Sequence, residues 1–279
     1  MVLPGGSLNL NTLSLTHTAP SQGFARCSLA SVGDEVFVAC KSRQQIEMYD
    51  AGTFMLLRRI TVPGLGSVVH GLAVDVGNDC LYASDYQNDS VHRVKLSDTD
   101  AVEKWSVGSN PSGLSVNKEH NLVVACRGSN KLQEYTTRGI LVREISLESK
   151  VVSAPWHAVQ LSTGDYVVSQ STSLGLITVV GLDGQQVCRY DRLQTPEVRS
   201  MEYPRSLAVT DNDDILVADD IHNRILLLNS SLSSAQVLTL QPEGGINRPW
   251  GLCLDESRGR LYVSEYTSGR VLVFEGECQ

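Results

Sequence analysis

Apolar residues recur in short runs along the whole chain, and the runs themselves recur as a set. Six stretches share one alternating pattern: ARCSLAS (25–31), HGLAVD (70–75), SGLSVN (112–117), WHAVQL (156–161), RSLAVT (205–210) and WGLCLD (250–255). Aligned at Cys27, Leu72, Leu114, Ala158, Leu207 and Leu252, they lie 42 to 49 residues apart. A second run follows each one: EVFVACK, CLYASDY, NLVVACR, DYVVSQS, DILVADD and RLYVSEY. A third comes after a short polar turn: QIEMY, SVHRV, KLQEY, GLITV, RILLL and RVLVF. The first five copies add a fourth: MLLRRITV, VEKWSV, ILVREISL, QQVCRY and AQVLTL. Such runs, rich in Val, Ile, Leu and Tyr and bounded by Gly, Asp, Asn and Ser, predict β-strands. No window carries the period of a long amphipathic helix.

Four antiparallel strands in each repeat make a propeller blade, and radial packing buries faces that a lone blade would leave wet. The chain is therefore expected to be all-β, a single six-bladed β-propeller over residues 1–279. Its blades are expected at about 25–62, 69–108, 111–149, 155–193, 204–241 and 248–276. The sixth copy has only three strands. Residues 7–18, SLNLNTLSLTHT, precede the first inner strand with leucines at 8, 10, 13 and 15. They are expected to supply the missing strand, centred on Leu13–Thr18, and so to cover the open sheet edge. The alternative is an unstructured N-terminal tail.

Composition narrows the setting. Hydrophobic content of 42% and charged content of 19% are those of an ordinary globular domain, and no apolar run is long enough to span a membrane. The start of the chain lacks the basic-then-apolar pattern of a secretion signal, which leads to the expectation of a cytoplasmic monomer. Seven cysteines with no CxxC pair then read as reduced thiols. A net charge of −8 argues against a partner held mainly by its phosphates.

The junctions between second and third strands read ASDYQNDSV, ACRGSNKL, ADDIHNRIL and SEYTSGRVL. Preceded by GLAVD, GLSVN, SLAVT and GLCLD, they resemble NHL repeats, and PRSLAVTDNDDILVADDIHNRILLL (204–228) is the nearest match. The resemblance spans about residues 25–276, with the first and fourth copies degenerate. It is similar to the propeller of tripartite-motif (TRIM) proteins, which implies a recognition domain for protein or RNA and no catalysis. No RING, B-box or coiled coil occurs in the sequence.

Chain direction alone gathers a candidate site. The residue two before each inner anchor faces the channel mouth: Ala25, His70, Ser112, Trp156, Arg205 and Trp250, with Arg26, His157, Tyr203 and Arg248 beside them. The loops between second and third strands add Lys41, Arg43, Asp85, Tyr86, Arg127, Asp220, His222 and Tyr266 to the same face. Two tryptophans, arginine and histidine at one opening form a typical binding hot spot for a protein or peptide partner. Each tryptophan directly follows a proline, so a second role is as a lid over the core. Asp219 with Arg224, and Glu265 with Arg270, stand at matching positions and are expected to pair across their loops. Asp85 has Ser90 in place of the arginine and is expected to be the freer acid, a ligand group. Single-stranded RNA is a second candidate partner, through base stacking.

An enzyme is the third reading. Six-bladed propellers include a zinc lyase and calcium-dependent lactonases and esterases, so the channel could hold a metal-dependent lyase or lactonase site. Catalytic zinc takes three protein ligands, whereas only His70 and His157 reach the ring. The acids Asp85, Asp219 and Glu265 share the second-strand ends with Cys40, Cys126 and Gln170. No nucleophile elbow, H-E-x-x-H or phosphate loop occurs. The expectation is a non-catalytic module without metal or cofactor.

Overall fold

A computed structural model describes residues 8–19, 27–40, 44–190, 198, 201–240, 242 and 245–277. It contains six four-stranded antiparallel sheets. The innermost strands are Cys27–Val32, Leu72–Asp75, Pro111–Val116, Pro155–Gln160, Pro204–Val209 and Pro249–Asp255. Each is followed in order by a second, a third and an outer strand, so sequence neighbours are also sheet neighbours. The sixth blade takes its outer strand from the start of the chain: Ser14–Ala19 lies antiparallel to Val271–Glu275, from Ser14 opposite Glu275 to Ala19 opposite Val271. The expected clasp is thus the observed one. Leu8, Leu10 and Leu13 extend it and are buried.

The core consists of six apolar clusters, one between each pair of neighbouring blades. Strand periodicity explains this division. Phe37 faces the second blade with Leu81 and Ala83, while Val36 and Val38 face the sixth with Tyr262 and Val273. Successive side chains point to opposite faces, so each second strand buries both and reads as a nearly unbroken apolar run.

Near the axis the inner strands approach closely enough to require glycine. A Cβ on Gly71 would stand 2.6 Å from the backbone N of Leu114, and one on Gly113 would stand 2.4 Å from His157 Cδ2 and 2.7 Å from the Trp156 carbonyl. These glycines precede the inner anchor in GLAVD and GLSVN. Gly113→Ala is expected to cost about 1–3 kcal/mol, the usual range for overpacking, seen as a lowered denaturant midpoint at unchanged slope.

Candidate functional site

In blades three to six the ladder slips by one residue where the inner strand begins. Pro155 pairs with Gln170 but His157 with Ser169, and Pro249 pairs with Glu265 but Gly251 with Ser264. Similar slips fall between Pro111 and Leu114 and between Pro204 and Leu207. Each bulge contains the residue assigned to the ring: Ser112, Trp156, Arg205 or Trp250. A bulge unpairs one residue, bends the strand and re-aims a side chain. Serine hydroxyls of the second strands help to satisfy the disturbed backbone, as Ser169 and Ser264 accept from the N–H groups of His157 and Gly251 at 3.2 and 2.9 Å. In blade two, which has no such slip, Ser84 accepts from Gly71 N–H at 2.8 Å.

The residue before each of these prolines is left-handed: Asn110, Ala154, Tyr203 and Arg248 have φ of 54°, 50°, 53° and 50°. Non-glycine residues rarely adopt this region, and here the preceding blade holds it in place. The N–H groups of Asn110, Ala154 and Arg248 donate to the side-chain oxygens of Asp89, Asn130 and Asn223 at 2.7, 2.8 and 2.7 Å. Tyr203 N–H donates to the Thr172 carbonyl at 3.0 Å. Asp89, Asn130 and Asn223 are themselves left-handed turn residues, a conformation that Asn and Asp tolerate better than most. The Asn of the repeat pattern therefore shapes its own turn and staples the next blade.

The acids at the ends of the second strands, and the amide of Gln170 in the fourth blade, act as tethers. Asp85, Gln170, Asp219 and Glu265 accept from the N–H groups of Gly66, Ser153, Glu202 and Asn247 at 3.0, 2.8, 3.1 and 2.9 Å. In blade three, Gln133 takes over and accepts from Gly108 N–H at 2.7 Å and from Cys126 Sγ at 3.3 Å. Burial pushes the Cys126 thiol up to about 12. The expected pairs form, with Arg224 Nε 2.9 Å from Asp219 and Arg270 Nε 2.8 Å from Glu265.

Asp85 requires a correction, because it is not a freer acid. Its buried carboxylate also accepts from Asn88 Nδ2 at 2.8 Å and hydrogen-bonds His92 Nε2 at 3.3 Å, with Lys104 Nζ 3.9 Å away. His92 on the adjacent strand stands in for the arginine.

Eight of the ten candidate residues line a single cleft of about 420 Å³ at the channel mouth: His70, Tyr86, Arg127, Trp156, Tyr203, Arg205, Trp250 and Tyr266. Val68, Gln87 and Ser171 complete it. Ser171 was legible in principle, since it follows Gln170 as Tyr86, Arg127, Asp220 and Tyr266 follow their own strand ends. Asp85 and His157 are not in the lining. His157 lies below, against a narrow space of about 30 Å³ on the axis. Its Nε2–H donates to the Leu114 carbonyl at 2.9 Å, and its Nδ1 accepts from Leu207 N–H at 2.9 Å. Burial lowers its pKa, so the imidazole is a neutral cross-brace between three blades. Ala25, Arg26, Lys41 and Arg43 fall outside the described residues.

Aromatic packing closes the floor of the cleft. Trp156 and Trp250 meet edge-on at 5.4 Å, His70 packs on Trp156 at 4.8 Å and on Tyr86 at 4.8 Å, and Trp250 meets Tyr266 at 5.2 Å. The tryptophans are only 5% and 3% exposed, so they are at once the lid of the core and the back wall of the cleft. The Arg205 guanidinium lies 4.8 Å from the Trp156 ring, 4.5 Å from Trp250 and 5.1 Å from Tyr203, and Arg248 lies 4.0 Å from Tyr266. Fully buried Asp220 fixes both arginines, with Arg205 Nε at 3.1 Å and Arg248 Nε at 2.8 Å. Arg205 also donates to Ser171 Oγ at 2.6 Å.

Residues 247–274 match the NHL repeat. The chain is a six-bladed propeller whose last blade carries an NHL repeat. Comparison with curated proteins returns no match. Several solved structures share the architecture across nearly their full length. A streptogramin B lyase is 14% identical with a TM-score of 0.64, covering 95% of this chain and 97% of its own. Virginiamycin B lyase from Staphylococcus aureus is 10% identical with a TM-score of 0.66, covering 93% and 98%. Kuenenia stuttgartiensis hydrazine synthase is 15% identical with a TM-score of 0.68, covering 95% and 99%. At such identities the likeness is one of fold. Among the described residues no group of three or more His, Cys, Asp or Glu is arranged to hold a metal ion.

Proposed function

We propose that this chain is a non-catalytic recognition propeller of the tripartite-motif kind, whose mouth cleft takes up a side chain presented by a protein or peptide partner. The observation that carries the reading is the preformed cleft, in which Asp220 and the tryptophans already hold Arg205. A pocket ordered before binding avoids part of the entropic cost of association, and aromatic and arginine side chains dominate binding hot spots. Base stacking on RNA needs open ring faces, and the two buried tryptophans offer little of theirs. A histidine-based metal centre has less to rest on, because His157 commits both ring nitrogens to backbone groups.

Selection of a displayed random heptapeptide library on the chain, followed by fluorescence polarisation of the enriched peptides, tests the reading. Tyr86→Ala and Tyr266→Ala are each expected to weaken binding about tenfold or more, equivalent to about 1.4 kcal/mol, with little change in melting temperature. Failure to enrich any peptide, or equal affinity for both variants and the unaltered chain, would refute it.

A further inference from the structure

We infer that the group received by the cleft is a carboxylate and that Arg127 is the residue that takes it. This rests on the reading of the cleft as a peptide site.

The charges around the cleft do not cancel. Three guanidinium groups, Arg127, Arg205 and Arg248, gather at the mouth, and Asp220 pairs with the last two. Arg127 has no ion pair and no side-chain hydrogen bond among the described residues, and its Nε is shielded from solvent without a partner. A buried donor left unsatisfied costs about 1–3 kcal/mol, a cost that an incoming acceptor removes. The Arg127 guanidinium sits 5.6 Å from the centre of the Trp156 ring, which Arg205 also approaches at 4.8 Å. Two cations thus share one aromatic wall. Burial lowers the Arg205 pKa, and the like charge of Arg127 adds to that effect.

The free group selects the ligand. A planar guanidinium presents paired N–H donors that match the two oxygens of a carboxylate. One unpaired cation balances a single negative charge, and a phosphate dianion would leave one of its charges facing phenol, indole and imidazole rings. The rest of the lining, Tyr86, Tyr203, Tyr266 and Trp250, suits the apolar stem of the same residue. Arg127 also explains how a chain of net charge −8 offers an anion site, since Asp220 is the only carboxylate paired to the mouth arginines among the described residues.

The test uses the full chain immobilised and four N-acetylated random heptapeptide pools. One lacks Asp and Glu and ends in an amide; the second is identical with a free C-terminus; the third is amidated and contains Asp and Glu; the fourth is the first with phosphoserine added. Retention of the second or third pool is expected to exceed that of the first about tenfold or more, and the stronger of the two identifies a chain terminus or an acidic side chain as the source. Arg127→Gln is expected to bring both down to the level of the first pool at an unchanged melting temperature. Arg127→Lys, which keeps the charge and loses the fork, is expected to recover only a minor part. Equal retention of the first three pools, a carboxylate preference that survives Arg127→Gln, or a preference for the phosphoserine pool overturns the assignment. Equal retention that still falls on Tyr86→Ala leaves the peptide site standing without it, whereas no retention of any pool overturns both.

Discussion

Removal of residues 1–19 is expected to leave a chain with no cooperative unfolding transition at 37 °C. The deletion strips the outer strand from the sixth blade and exposes the edge of Val271–Glu275. It also removes Leu8, Leu10 and Leu13, buried with Leu216, Ile246 and Phe274 between the fifth and sixth blades. Burial of each leucine contributes about 1.5–3 kcal/mol, so the three approach the 5–15 kcal/mol that holds a typical domain folded. The bonds from Asn9 N–H to the Glu277 carbonyl and from Glu277 N–H to Thr12 Oγ1, both 2.9 Å, go with them. An uncovered edge also invites pairing between molecules, so the shortened chain is expected to self-associate on size-exclusion chromatography. A synthetic peptide of residues 7–19 added during refolding should restore the monomer peak. A melting temperature within a few degrees of the full chain would show that the clasp is dispensable.

Asp220→Asn is expected to be the most damaging single substitution at the mouth. The carboxylate is fully buried between Arg205 and Arg248, and removing one member of a buried charge cluster typically costs about 3–5 kcal/mol. Arg205 would keep its charge between two indole rings with Ser171 Oγ as its remaining hydrogen-bonding side-chain partner. For a chain of this size the loss corresponds to a fall in melting temperature on the order of 10 °C, and peptide affinity should fall with it. Asp34→Asn is the control. That acid also pairs with an arginine, Arg258 at 3.1 Å, but its side chain is 85% exposed, and exposed pairs contribute about 0–1 kcal/mol. Similar effects from the two substitutions would mean that the Asp220 clamp carries no special weight.

Particular residues show how much of this was legible in the sequence. Period and alternation were enough for six blades and for the closing strand, because each blade repeats the same burial problem. The pairs Asp219–Arg224 and Glu265–Arg270 were also legible, since both partners flank one loop. Asp85 was not. Its partners include the backbone N–H of Gly66, nineteen residues earlier, and His92 on the neighbouring strand, and no spacing rule marks a carboxylate bound to a main-chain group. His157 misled for a related reason: it follows the bulged Trp156, and that extra residue turns its ring down toward Leu114 and Leu207 instead of out to the cleft. The clamp formed by Asp220 joins one arginine fifteen residues before it to another twenty-eight after it, a convergence created by the packing of the fifth blade against the sixth.

The clasp has a mechanical side. Ser14 lies opposite Glu275, so the two ends of the closing pair leave the sheet at the same end of the ladder. Tension applied through the flanking chain would load those hydrogen bonds one after another, as a zipper is opened, instead of shearing all of them at once. The ring is therefore built to yield under a small pull at the strand that fastens it, while its other blades are loaded only after that strand has peeled away.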